Sequence, residues 1–218
     1  IYKEYGMELL IDGIQIVSGA QQGIDIVAKA FLNFQDTVFV EAPTYPGAID
    51  AFRSRGAKIV EISMEQDGVN IEEFVSKLKD HPPKLFYTMP NFHNPTGWSY
   101  SEQKKKELLI LSKEYDFLIV EDDHINDFYF AKKAQPLKAL DHDNRVLYIK
   151  SFSKLFMPGL RLAFIASAEN FSWKIADAKT ASLFTHNSLS TRRFAHMKTR
   201  FICSVRFLKG NSPIFDAS

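Results

Sequence analysis

The chain has 218 residues, 45% hydrophobic and 24% charged, enough apolar sequence to bury a substantial core and too much for a disordered or fibrous protein. Lys and Arg number 27 against 26 Asp and Glu, a net charge of +1, which excludes a global field that would gather nucleic acid or acidic membrane. The single cysteine, Cys203, excludes an internal disulfide framework and points to a reducing cytoplasm, and no apolar run reaches membrane-span length.

The opening IYKEYGMELL has neither the shape of a signal peptide nor an initiator methionine, so the chain reads as beginning inside a longer gene product. In chain order the strand-like runs are IQIV (14–17), TVFVE (37–41), KIVEI (58–62), LFYT (85–88), FLIVE (117–121), VLYIK (146–150) and LAFIA (162–166). Most are uninterrupted apolar stretches, the pattern of strands buried on both faces. Helix-like segments separate them at 21–33, 46–56, 70–80 and 101–116, the last with Ser99 and Glu102 spaced as a capping box. This alternation predicts an α/β fold of three layers, α/β/α, around a mostly parallel sheet of about seven strands. Beyond residue 170, FSWKIADAKTASLFTH reads as helical, whereas KTRFICSVRFLKGNSPIFDAS has no clean period.

In such a fold ligands lie at the carboxyl ends of strands, so the residues after each strand carry the chemistry. After IQIV, the turn Ser18-Gly19-Ala20-Gln21 leads into a helix, whose free N-terminal amides suit a phosphate; a tight turn without ligand is the commoner meaning of so short a motif. After TVFVE, APTYPG holds Tyr45 between prolines, placed to stack on a planar ligand or simply to pack. After LFYT, MPNFHNPTG sets Asn94 before a proline, with Asn91 and His93 beside it; it is a turn first, and a means of aiming an amide second. After FLIVE come Asp122, Asp123 and His124. Buried carboxylates need partners, and three roles are open: pairing with a protonated ring nitrogen, a metal site with Asp127 or His93, or a helix or turn cap. After VLYIK, Ser151, Ser153 and Arg161 suit a phosphate dianion, and Lys154 among them is a candidate nucleophile. Any one lysine is ordinarily solvated surface charge; the combination argues otherwise. A phosphate turn, a stacking aromatic, an amide, a carboxylate and a lysine flanked by phosphate ligands together suit pyridoxal 5′-phosphate.

Over about residues 10 to 170 the chain resembles the fold-type I, aspartate aminotransferase-like enzymes that use pyridoxal 5′-phosphate (PLP). The segments SGAQQGID, EAPTYPGAIDAFRSRGAKIVEI, MPNFHNPTG and SFSKLFMPGLRLAF are most similar to the aminotransferase-like domain of MocR-type transcription regulators of the GntR family. They are also similar to stand-alone aminotransferases of aminoadipate, aromatic or branched amino acids. The resemblance implies Lys154 of SFSK as the Schiff-base lysine and Arg161 of PGLR as a phosphate ligand with Ser151, Ser153, Ala20 and Gln21. It implies Tyr45 stacked on the pyridine ring, Asn94 at the ring hydroxyl, and Asp122 at the ring nitrogen. The implied chemistry is transamination between amino acids or amines and keto acids, with Lys154 moving a proton from the substrate α-carbon, in a homodimer.

The chain departs from the family in three places. His124 stands where close relatives usually have a tyrosine at the ring hydroxyl, a group that titrates near neutral pH. NSLSTRRFAHMKT resembles the start of the relatives' small domain, but the sequence then diverges, and none of Arg192, Arg193, Arg200 or Arg206 can be assigned the role of the substrate-carboxylate arginine, solvated surface being the commoner place for each; a premature end or a shifted reading frame would account for this tail. The N-terminal segment that closes the relatives' site is missing. The expected organisation is therefore a PLP-binding large domain over 1–180 and an atypical tail over 181–218. Two other readings stand beside the enzyme: the PLP-sensing effector domain of a regulator that meets DNA through a domain outside this chain, and, more remotely, a metal-dependent hydrolase.

Overall fold

Apolar runs flanked by turn residues become the inner strands, and amphipathic segments cover them. The structure, a computed structural model, describes residues 6, 7, 9, 11–125, 134–152 and 161–183. In order these form β1 (Ile14–Val17), α1 (Ala20–Phe31), β2 (Thr37–Ala42), α2 (Pro46–Arg53), β3 (Lys58–Glu65), β4 (Gly68–Val69), α3 (Ile71–Asp80), β5 (Leu85–Thr88), α4 (Glu102–Glu114), β6 (Leu118–Asp123), β7 (Val146–Ser151), β8 (Ala163–Ala166) and α5 (Glu169–Leu183). By its contacts the chain divides into a unit Ile1–Ala178 and a unit Lys179–Ser218. The expected atypical tail from residue 184, with Arg192, Arg193, Arg200 and Arg206, lies outside the described residues.

The eight strands form one sheet in the order β1-β8-β7-β6-β5-β2-β3-β4. β2, β3, β5, β6 and β7 run parallel, while β8 is antiparallel to both β7 and β1. All seven expected strands are present; the eighth, β4, is two residues long and pairs antiparallel with the end of β3, too short to give a periodic signal.

Alternation along each strand builds two cores. Val38, Val40, Leu85, Tyr87, Val120, Leu147 and Ile149 face one side with Ile24 and Val27 of α1 and Phe52 of α2. Phe39, Phe86, Ile119 and Val146 face the other with Phe74 and Leu78 of α3 and Leu108 of α4. Each such side chain contributes about 1.5–3 kcal/mol when fully buried. Helix α1 approaches closely because residue 23 is glycine: a Cβ there would stand 3.2 Å from Ile149 Cγ2. The Asn70 side chain caps α3 by accepting from Glu73 N at 2.8 Å, with Glu72 and Glu73 in the first turn and Lys77 and Lys79 in the last, the signs that oppose the helix dipole.

The cap of α4 is Ser101, which accepts from Lys104 N at 3.3 Å, and not Ser99. The Ser99 hydroxyl instead accepts from Phe92 N at 3.0 Å and fastens the loop after β5. Two strands also reach further than their apolar runs: β6 continues through Asp122 and Asp123, and β7 through Ser151. Both carboxylates and the serine thus hold strand positions and project to defined faces.

Candidate active site

The sheet register assembles the site. Val17 pairs with Ala163, and Ala163 with Ser151, so the Ser18-Gly19 turn, Arg161 and Ser151 meet at the carboxyl edge of the parallel strands. Gly19 has φ 89 and forms the N-cap of α1 with no side-chain cap, leaving the first amides of the helix, those of Ala20 and Gln21 among them, outside its ladder. A Cβ on Gly19 would stand 2.6 Å from Arg161 Nη2 and 2.9 Å from its Cζ. Glycine is therefore required twice, for its backbone angle and for the guanidinium seated on it. Arg161 itself has φ 44, a left-handed conformation that costs a non-glycine residue about 1–3 kcal/mol and is found where function compensates it. Helix amides plus guanidinium make a strong anion site.

Next to it, Gln21 Nε2 donates to Gly47 O at 2.7 Å, and a Cβ on Gly47 would stand 2.4 Å from Gln21 Oε1 and 2.7 Å from the Tyr45 ring. The Tyr45 loop is thereby packed on the first turn of α1. Gln21 Oε1 and Thr44 Oγ1 are buried with no hydrogen-bond partner among the described residues, two polar atoms that a bound group would satisfy.

One strand away, Asp122 lies on the face of β6 that carries Val120 and Leu118. Its Oδ2 accepts from the Tyr87 hydroxyl at 2.7 Å, both groups buried. Burial, and then the Asp122 charge, push the Tyr87 phenol well above its ordinary range, so it remains a donor. Asp123 points to the opposite face, where Tyr148 donates to it at 2.5 Å and Lys150 pairs with it at 2.9 Å. Glu121, on the same face as Asp123, accepts from Leu137 N and Lys138 N at 2.8 and 2.7 Å; burial, and then the Asp123 charge, hold it at about 7 against those bonds.

Asn94 is exposed in the turn after β5, whereas His93 beside it is buried, with Nδ1 2.9 Å from Thr96 Oγ1 and Nε2 3.1 Å from Glu41 Oε2. Glu41 also accepts from Thr88 Oγ1 at 2.6 Å, Tyr100 OH at 2.7 Å and Met89 N at 3.1 Å.

Of the residues selected from sequence, the structure brings Ala20, Gln21, Tyr45, Ser151 and Arg161 to one edge, with Asp122 on the adjacent strand. Asn94 and the half-buried His124 occupy the loops that leave β5 and β6. Lys154, Ser153 and Asp127 lie outside the described residues. The metal reading loses its geometry: Asp122 and Asp123 face opposite ways, His93 turns inward to Glu41, and no group of three potential ligands occurs among the described residues. Tyr87 and Glu41 escape the sequence reading. The signal for Tyr87 is register: it pairs with Val120, which puts it on the face of Asp122.

The family model "Aminotransferase class I and II" matches residues 3–199. Aromatic-amino-acid aminotransferase 1 of Thermococcus litoralis is 36% identical over 183 residues, 81% of this chain and 44% of its own. The HTH-type transcriptional regulator YisV of Bacillus subtilis is 38% identical over 178 residues, 81% of this chain and 37% of its own. The crystal structure of Pyrococcus horikoshii kynurenine aminotransferase, in complex with PMP and with KYN as substrates and KYA as products, superposes with a TM-score of 0.78 at 37% identity, covering 83% of this chain and 46% of that one. The chain thus spans less than half the length of these relatives. Family model, sequence relatives and sheet topology agree: the chain belongs to the class I and II aminotransferase family.

Proposed function

We propose that this chain forms a PLP-binding large domain and works by transamination chemistry on an amino acid or amine. The observation that carries the reading is the meeting of the uncapped α1 N-terminus, the Arg161 guanidinium and Ser151 at one edge, with buried Asp122 on the adjacent strand. The residues fit the group: a Cβ at Gly19 would fill the cradle, and Gln21 Oε1 and Thr44 Oγ1 await a partner among the described residues. Ala20, Gln21, Ser151, Ser153 and Arg161 would hold the phosphate, Tyr45 the ring face, and Asn94 and His124 the ring hydroxyl. When bound, the cofactor supplies an electron sink for charge released at a substrate α-carbon.

The protein's own part is positional and protonic. Asp122, its Oδ2 accepting from the Tyr87 hydroxyl, would pair with a protonated ring nitrogen. Lys154, two residues past Phe152, would be the attachment amine and the base that moves the α-proton. The substrates are amino acids and keto acids, the assembly a homodimer and the compartment the cytoplasm. Incubation with PLP, borohydride reduction and peptide mapping test this. The expected result is a yellow protein with the adduct on the Lys154 peptide, and no covalent attachment in Lys154→Ala; a folded parent with no adduct defeats the reading.

The similarity to YisV supports a second role for the same site, the PLP-sensing effector half of a regulator whose DNA contacts come from outside this chain. A full equivalent of keto acid per bound cofactor in a single turnover favours the enzyme; cofactor binding without conversion favours the sensor.

A further inference from the structure

We propose that His93 is a positioning residue and that a buried relay, Glu41 to His93 to Thr96, sets the aim of Asn94. This rests on the cofactor reading above, in which the Asn94 amide meets the ring hydroxyl.

His93 is 1% exposed although the next residue is at the surface, so the chain turns its imidazole into the core and the amide out. A buried imidazole requires a partner at each nitrogen. Thr96 Oγ1, 2.9 Å from Nδ1, already accepts from Trp98 N at 3.2 Å. Its own proton is free to point at Nδ1, while Nε2 faces Glu41 Oε2 at 3.1 Å. That last contact is close but poorly aligned for a hydrogen bond, so it holds the ring by charge and packing. Glu41 is a rigid anchor, because Thr88, Met89 and Tyr100 all donate to it.

The turn is also clasped to the backbone of the same residue: Gly97 N donates to His93 O at 2.6 Å, and His93 N to Trp98 O at 2.8 Å. Residues 93 and 96–98 therefore form one body locked to β2, and Asn94 rides on it. Asn94 is exposed, so its direction is set from behind, by the relay.

The test is a double-mutant cycle on PLP binding, read by titration and by the absorbance of bound cofactor. Asn94→Ala and His93→Phe are each expected to weaken binding about tenfold, the loss of one hydrogen bond's worth, with the same spectral shift. The double variant should be no weaker than Asn94→Ala. Thr96→Val, which leaves the imidazole packed, should reproduce His93→Phe at smaller size. In the full chain without cofactor, both should speed amide exchange in the peptide spanning 91–98. Additive losses, or unchanged exchange, overturn the relay while leaving the cofactor reading intact. A parent without a cofactor band overturns both.

Discussion

At the scale of residues, the site depends on groups that no motif announces. Tyr87 is the clearest case: it sits mid-strand in an apolar run, and its hydroxyl acts only because the neighbouring strand carries Asp122 on the same face. Removing it should leave a buried carboxylate short of a donor, a cost of about 1–3 kcal/mol. We expect Tyr87→Phe to lower the denaturation midpoint and to move the pH at which bound PLP changes its absorbance. A variant with the parent's spectrum at every pH would reduce Tyr87 to packing.

Elements meet through buried charge. Glu121 lies at the end of β6 and holds the amides of Leu137 and Lys138, while Lys105 of α4 donates to Gln135 O and Asn91 Oδ1, both at 2.7 Å. Burial lowers the Lys105 amine from its ordinary range, and burial raises Glu121 to about 7. A carboxyl with a raised folded pKa binds its proton more tightly in the folded chain than in the unfolded one. Stability from this group is complete below the unfolded value near 4.5 and is lost as pH rises towards 7. The parent should therefore lose stability relative to Glu121→Gln between pH 5 and 7, on the order of 1 kcal/mol per pH unit at most, measured by urea denaturation; parallel pH profiles would refute the assignment. At this scale the sequence was informative where periodicity is long. IVE and LYIK announced inner strands because both faces are buried. Gly68–Val69 has no period to read, and the direction of β8 depends on which neighbour it pairs with, a tertiary choice. The acidic and hydroxyl ends of β6 and β7 read as loop because polarity is the cue for a strand's end, yet here the ladder continues and the polar side chains are what the fold presents.

For the whole molecule, ligand and fold should be linked. A group that binds the folded chain and not the unfolded one stabilises it by mass action, about 2.7 kcal/mol at a hundredfold excess over its dissociation constant. PLP is thus expected to raise the melting temperature in a concentration-dependent way, and pyridoxal, lacking the phosphate, to raise it far less. Equal shifts from the two would remove the anion site from the account. The topology has a further consequence in time. Among the described residues β1 pairs only with β8, so β1 has no sheet neighbour among them until every strand from β2 to β7 has been made. The parallel inner strands can collapse while synthesis continues, but the turn at Gly19 and the guanidinium that rests on it come together only after β7 has been made. A nascent chain that has made the strands up to β7 would hold a packed inner sheet with no anion cradle, and the cradle would form only when β8 joins β7 to β1.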